Sequence, residues 1–233
     1  MAVQTKQRLS ELTRAFSADL DLTDFLHRVA GLVARTVDGD IAVGITVIRD
    51  GQPGTVASSD HRAADVDDAQ YEVDAGPCLE AARTGKTVVV TNMSTDTRWP
   101  SVQERAMKAG LCSSMSRPLA GLAGAVGALN MYAGKPNNFS AEDRAAAEQL
   151  AAEIDAVIAA AVRMSDRTEV SEQLEQALTS RATIDQAVGI VMAQSRCSPQ
   201  EAFALLSSAS QNRNLKLRDL AAELVGSVAR HLE

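Results

Sequence analysis

Residues 141–188 contain neither glycine nor proline. These are the two residue types that most readily end a helix, proline by removing a backbone donor and glycine by its conformational freedom. A run this long without them predicts a helix continuous to about Val188. Its start is legible at Ser140-Ala-Glu-Asp143, where Ser140 can cap the first turn and the early acids suit the positive helix end. Leu150, Ile154, Val157, Ala161 and Met164 step by 4, 3, 4 and 3, the spacing of a coiled-coil seam. Thr168 and Ser171, the next positions, are polar, so the seam weakens there. Either the seam pairs with a second copy in parallel, or this is the last helix of an upstream domain packed on its own sheet.

Upstream of that helix the pattern is mixed. Leu9, Leu12, Phe16 and Leu20, then Leu22, Phe25, Leu26, Val29, Leu32 and Val33, follow helical spacing with a break near Asp21. Residues 41–48 are rich in Val and Ile and end at Asp50-Gly51, a hairpin signal, with a return strand over 55–58. Residues 61–74 are acidic and weakly periodic, which predicts a mobile loop or a frayed helix. Gly76-Pro77 opens a short helix to about Arg83, because proline suits the first helical turn. Residues 87–91 read as a strand, 102–109 as a helix ended by Gly110, and 112–119 and 124–132 as two strands joined by a Gly/Ala-rich turn. Strands and helices in this order favour an α+β fold with a mainly antiparallel sheet.

Downstream, Ala177, Ile184, Val188 and Val191 predict one helix over about 171–195. Ser198-Pro-Gln-Glu201 is a capping box with proline at the first helical position. Ala202, Phe203, Leu205, Leu206 and Ala209 predict the buried face of a second helix, and Leu217, Leu220, Ala221, Leu224, Val225 and Val228 a third. Fifty-odd residues are marginal for independent stability, so docking or dimerisation would help.

The totals narrow the function. A net charge of −7 argues against a broad nucleic-acid footprint. A small local one stays open, since residues 171–233 hold six Lys/Arg against seven Asp/Glu. Aromatics make up only 3%, too few for a base-stacking sheet. Three cysteines without CxxC spacing make neither a disulfide scaffold nor a zinc site. With no signal peptide and no apolar run near the roughly 20 residues of a membrane span, a reducing cytoplasm is the expected compartment. Neither GxSxG, HExxH nor a Walker motif occurs, and His27, His61 and His231 are scattered, so neither an enzyme nor a metal site is expected.

Two resemblances organise these pieces. DAGPCLEAARTGKTVVVTNMSTDTRWP and SSMSRPLAGLAGAVGALNMYAGKPNNFS carry a resemblance to the GAF domain, a ligand-sensing relative of the PAS fold, over residues 9–161. It implies a pocket above the sheet and frequent dimerisation, without naming the ligand. SRATIDQAVGIVMAQSRCSPQEAFALLSSASQNRNLKLRDLAAELV resembles the ANTAR domain, the RNA-binding module of the AmiR and NasR antitermination regulators, over residues 174–228. Val188 departs from the pattern, because many relatives carry Lys or another polar residue there. The resemblance implies binding to paired stem-loops in nascent RNA, with an antiterminator hairpin favoured over the terminator. Unstacked loop bases and crowded phosphates are within reach of a few Arg, Lys, Gln and Asn side chains.

The expected organisation is a GAF-like sensor over residues 1–162, a helical linker over 163–173 and a three-helix RNA-binding domain over 174–233. Arg181, Gln186, Gln211, Asn214, Lys216 and Arg218 are the candidate RNA contacts, each of them otherwise a solvated helix face or turn. Gly189 interrupts a helix at a cost of about 1 kcal/mol relative to Ala; close approach of another helix or of RNA would explain it, and close helix packing is the first expectation. Cys78 follows Gly76-Pro77 at a helix start, where the dipole would lower its pKa; it is either a redox sensor or a small residue buried beside the pocket. Cys112 falls near the same pocket, and a small molecule there is the expected ligand. The expected partners are RNA and a second copy, with neither membrane nor DNA. The rival reading uses the last three helices as a DNA-binding or protein-interaction adaptor.

Overall fold

The computed structural model describes residues 22–35, 37, 39–120, 125–164, 167–213 and 215–229; the side chains of 157–179 lie outside the described residues. The chain divides into two compact units, Met1–Leu174 and Glu175–Glu233.

The first unit is built on one antiparallel five-stranded sheet in the order β2-β1-β5-β4-β3. Its strands are β1 (Ile41–Arg49), β2 (Gln52–Ser58), β3 (Val88–Val90), β4 (Ser113–Leu119) and β5 (Val126–Ala133). Asp50 and Gly51 both have positive φ, 50° and 79°, the turn that matches the twist of a two-residue hairpin. β1 is buried over its first eight positions, as expected for a strand covered on both faces. Helix α1 (Leu22–Ala34) packs on β1 and β2. Helices α2 (His61–Glu72) and α3 (Pro77–Thr84) cover the face formed by Ala42, Gly44, Thr46, Ala128, Asn130 and Tyr132. Helix α4 (Pro100–Lys108) packs against α2.

Residues 61–74 therefore do not form a loop. α2 runs for 12 residues and buries Ala63, Ala64, Val66, Asp67, Ala69 and Gln70. Polar residues occupy part of its inner face, which removes the apolar period from the sequence. Asp60 caps it, accepting from the Arg62 N–H at 2.9 Å. The Arg62 guanidinium also grips Asp40 at 2.6 and 2.8 Å and Asp60 at 3.0 Å. This bidentate arrangement ties the start of α2 to the start of β1, and the Arg62 hydrogen bonds hold the Asp40 carboxyl below its ordinary pKa.

Helix α5 (Ala141–Met164) opens with the expected cap: Ser140 N–H and hydroxyl donate to Asp143 Oδ2 at 2.9 and 2.7 Å, and Asp143 N–H donates back at 3.1 Å. It packs on β4, with Ala147, Ala151 and Ile154 buried. Ile154 is 0% exposed, so this seam position serves the sheet. The side chains of Leu150, Val157, Ala161 and Met164 lie outside the described residues. So do residues 165–166, on which continuity with α6 (Arg167–Ser195) depends, and the residue 9–20 helix expected upstream.

The second unit closes on a small core. Ile184, Ala187 and Val188 of α6 meet Ala202 and Leu206 of α7 (Pro199–Arg213) and Leu217, Leu220 and Ala221 of α8 (Leu217–Ala229). Val188 is apolar here because it belongs to this core. The capping box forms as expected: Ser198 N–H and hydroxyl both donate to Glu201 Oε2 at 2.8 Å, and Glu201 N–H donates to Ser198 Oγ at 3.3 Å. Leu205 does not join the buried face of α7; it is 51% exposed.

Candidate functional site

The α2 side of the sheet encloses a polar network. Asp67 is fully buried at its centre. Its Oδ1 accepts from Asn130 Nδ2 at 3.0 Å and from the Tyr132 hydroxyl, and its Oδ2 accepts from Thr55 Oγ1 at 3.1 Å. The Tyr71 hydroxyl lies 2.8 Å from both Thr46 Oγ1 and Thr55 Oγ1. Gln70 donates to the Tyr132 oxygen at 2.8 Å and accepts from the Cys78 N–H at 2.8 Å. That last bond satisfies an amide in the first turn of α3, which has no side-chain cap of its own. Charged and amide groups are buried at tolerable cost only when bonded in this way.

Two glycines make the network sterically possible. A Cβ at Gly44 would lie 2.3 Å from Asp67 Oδ2, and one at Gly76 would lie 2.3 Å from Gln70 Oε1. Sequence reasoning missed Asp67, Gln70, Asn130 and Tyr132. The signal available was Asp-Asp-Ala-Gln-Tyr in a segment whose inner face is partly polar.

Cys78 is 0% exposed and packs with Ile48, Leu79, Ala81, Ala82, Val88 and Ala128. Burial raises its thiol pKa well above the ordinary value, and the Asp67 charge adds to that. This is the reverse of the lowering expected from a helix start: desolvation outweighs the dipole, and the thiol stays protonated. Burial and Asp67 likewise raise the phenols of Tyr71 and Tyr132. Cys112 is half-buried, with its N–H donating to Ala133 O and its carbonyl accepting from Met93 N–H, both at 2.7 Å. A shallow cleft lined by Val89, Thr91, Ser113, Asn137, Asn138, Phe139 and Arg144 includes neither cysteine.

In the second unit the candidate RNA contacts fall at different places. Gln186 is exposed on α6. Arg181 lies five residues earlier, about 140° around the helix, and pairs with Asp185 at 3.4 Å. The two do not share a face. Gln186 shares its face with Gly189 and Ala193, both exposed, and α6 ends at exposed Arg196 in a left-handed conformation with φ 51°. A Cβ at Gly189 would meet nothing within 4 Å, so close packing inside the unit does not explain this glycine. Lys216 is exposed at the start of α8, its carbonyl accepting from the N–H groups of Asp219 and Leu220 at 3.0 Å. Arg218 follows, 3.6 Å from Asp219. Ser210 closes the preceding turn, donating to Leu215 O at 2.6 Å. Asn214 and the Gln211 side chain lie outside the described residues.

Comparison with known proteins follows the same division. The GAF domain family matches residues 19–159, and the ANTAR domain family matches residues 172–225. No curated protein matches the chain at a significant level. Among solved structures, the phycoerythrobilin-bound GAF domain of a cyanobacterial phytochrome is 15% identical with a TM-score of 0.51, covering 68% of this chain and 96% of that one. The reduced form of fRMsr from Staphylococcus aureus is 16% identical with a TM-score of 0.52, covering 66% and 94%. Free methionine-R-sulfoxide reductase from Neisseria meningitidis, in complex with its substrate, is 16% identical with a TM-score of 0.51, covering 70% and 93%. Likeness at this identity speaks for the fold alone. No helix among the described residues is long and apolar enough to cross a membrane. The chain belongs to the GAF domain family, with an ANTAR domain following the GAF domain.

Proposed function

We propose that this protein is a cytoplasmic, non-catalytic transcription antitermination regulator. Its GAF domain receives a signal, and its ANTAR domain binds paired stem-loops in nascent RNA. The observation that carries the reading is the ANTAR match over residues 172–225 directly behind a GAF domain. The proposed boundaries are a sensor over 1–162, a helical link over 163–173 and the RNA-binding domain over 174–233.

RNA is held by Gln186, Lys216 and Arg218, with Arg181, Gln211 and Asn214 completing the set. Lys216 and Arg218 neutralise phosphates; the amides read unstacked base edges. Two copies, joined through the helical link, match two stem-loops. The burial of Cys78 favours the GAF interior, with Cys78 at its margin, as the receiver of a small ligand rather than of an oxidant.

A gel shift with tandem stem-loop RNA, run beside duplex DNA across one salt series, tests this. Preferential RNA binding by the full chain is expected, weakened by Arg218→Ala without loss of fold. Equal or stronger binding to duplex DNA, or no binding to either, overturns it.

A further inference from the structure

The shallow cleft described above lies on the α5 side of the sheet, away from the polar network. Val89 pairs with Met115, and Ser113 with Ala133, one residue out of step with Ser114 and Ser116, which turn to the α3 side. The cleft forms where β3, β4, the 137–139 loop and the start of α5 meet, and it holds about 230 Å³ of open space, its mouth included. Its walls are tied down at three points. Asn137, in the left-handed region at φ 57°, donates its N–H to Thr91 O at 2.7 Å. Ser113 Oγ donates to Lys135 O at 2.7 Å, and Arg144 Nε donates to Phe139 O at 3.2 Å. Walls already held in place leave little ordering to be done on binding.

Arg144 sets the chemistry. Arg62, Arg83, Arg98, Arg105 and Arg117 each pair with a carboxylate. Arg144 pairs with none among the described residues, although two carboxylates stand near it on α5. Glu148, one turn on, reaches instead to Arg117 at 3.4 Å, and Asp143 Oδ2 is held by Ser140. With Nε anchored on Phe139 O, the two Nη groups form the outer end of the fork. That end is planar and bidentate, the geometry that fits the two oxygens of a carboxylate. Among the described residues, no protein group bonds those Nη groups, the Thr91 hydroxyl or the Asn137 side-chain amide. Lys135, exposed two residues before Asn137 and with no carboxylate partner among the described residues, adds positive charge to the same loop. Val89 and Phe139 supply apolar lining, which suits a short hydrocarbon chain behind the carboxylate and not a phosphate. The helix end itself carries none of this, because Ser140 and Asp143 already close it.

We infer that this cleft is a second ligand site, for a short-chain aliphatic carboxylate. The Arg144 fork takes its two oxygens, Thr91 and Asn137 are further donors, and Val89 and Phe139 lie against its chain. Because the site joins the sheet edge to the start of α5, an occupant braces the helix that precedes the ANTAR domain in the chain. Calling that occupant a signal rests on the regulator proposed above; its binding does not.

The test uses the full chain, titrated with sodium acetate, sodium butyrate and sodium phosphate against sodium chloride at matched ionic strength and pH. Two readouts apply: the thermal midpoint, and the fluorescence of Trp99, the only tryptophan. Trp99 is coupled to the cleft through Arg98, which lies 4.3 Å over its ring and donates to Val89 O at 3.2 Å. Saturable binding of butyrate is expected, tighter than that of acetate by up to about fifteenfold for the two added methylenes, with no saturation by chloride or phosphate. Arg144→Lys keeps the charge and loses the fork; it should melt with wild type in chloride and bind butyrate about tenfold more weakly. Asn137→Gly accepts the same φ and removes the amide, and should weaken butyrate binding in the same direction. Absence of saturation with both carboxylates overturns the site, as does phosphate binding as tightly as butyrate, or butyrate binding no tighter than acetate. So does undiminished butyrate binding by Arg144→Lys, since the ligand then sits elsewhere. RNA binding is measured on the same samples. Saturation without RNA binding overturns the regulator and leaves the site standing; RNA binding without saturation does the opposite.

Discussion

Gly44 of β1 and Asp67 of α2 are matched so closely that a Cβ on the strand would lie 2.3 Å from the carboxylate oxygen. The contact is to the short side chain of a buried residue bonded to Asn130, Tyr132 and Thr55, which cannot swing away. Gly44→Ala should therefore cost about 2–4 kcal/mol, the range of an overpacked core that also breaks a buried polar network. Chemical denaturation of the full chain, followed by far-UV circular dichroism, measures it. A loss below about 0.5 kcal/mol would mean that α2 shifts freely on the sheet.

Acid should weaken the first unit through His27. Its Nδ1 lies 3.4 Å from Ser58 O, and loss of hydration in the packed helix lowers its pKa from 6.5 to about 4. The unfolded chain takes up the proton near pH 6.5 and the folded ring only near 4. Stability contributed by the neutral ring is complete above pH 6.5 and is lost as pH falls to 4, by at most about 3 kcal/mol. His27→Leu should flatten that part of the profile. His27 is half-buried by surface area, and a wild-type stability that stays level from pH 6.5 to 4 would mean that its ring keeps its hydration in the folded chain.

Thiol labelling should separate the three cysteines by burial. Cys78 is buried with a raised pKa, while Cys112 and Cys197 are half-buried. Iodoacetamide on the native chain should modify Cys112 and Cys197 first, and Cys78 only at the rate of unfolding. Peptide mass spectrometry reads the order. Early modification of Cys78 would restore the redox-sensor reading.

The same physics explains what the sequence revealed and what it hid. Local signals were legible: the Asp50-Gly51 hairpin, Pro77 at the start of α3, and the boxes at Ser140 and Ser198 all depend on neighbours in the chain. α2 was hidden because its inner face carries Asp67 and Gln70, which are buried only because Thr55, Asn130, Tyr132 and Cys78 come from distant strands and another helix to meet them. Leu205 misled for the complementary reason: apolar character placed it in the core, but Ala202 and Leu206 already define the inward direction of α7. Ser114 and Ser116 lay within an expected strand, and alternation alone did not say that their face was the buried one. The cysteine at the start of α3 drew attention through a local dipole, while tertiary burial decided its chemistry.

Gly189 should respond in opposite directions to two measurements. Its position is open, with nothing within 4 Å of the point a Cβ would occupy, so Gly189→Ala should stabilise the helix by about 1 kcal/mol. If RNA lies against the face shared with Gln186, bulk and negative charge there will obstruct it. Gly189→Glu should then weaken RNA binding by roughly tenfold or more, since a carboxylate is brought toward phosphate, while helical content is retained. Gln186→Ala should weaken binding through the same face, whereas Arg181→Ala, removing a residue turned about 140° away and paired with Asp185, should act on it less. Unchanged affinity in both Gly189→Glu and Gln186→Ala would move the RNA surface off this face of α6 and onto the start of α8, where Lys216 and Arg218 stand.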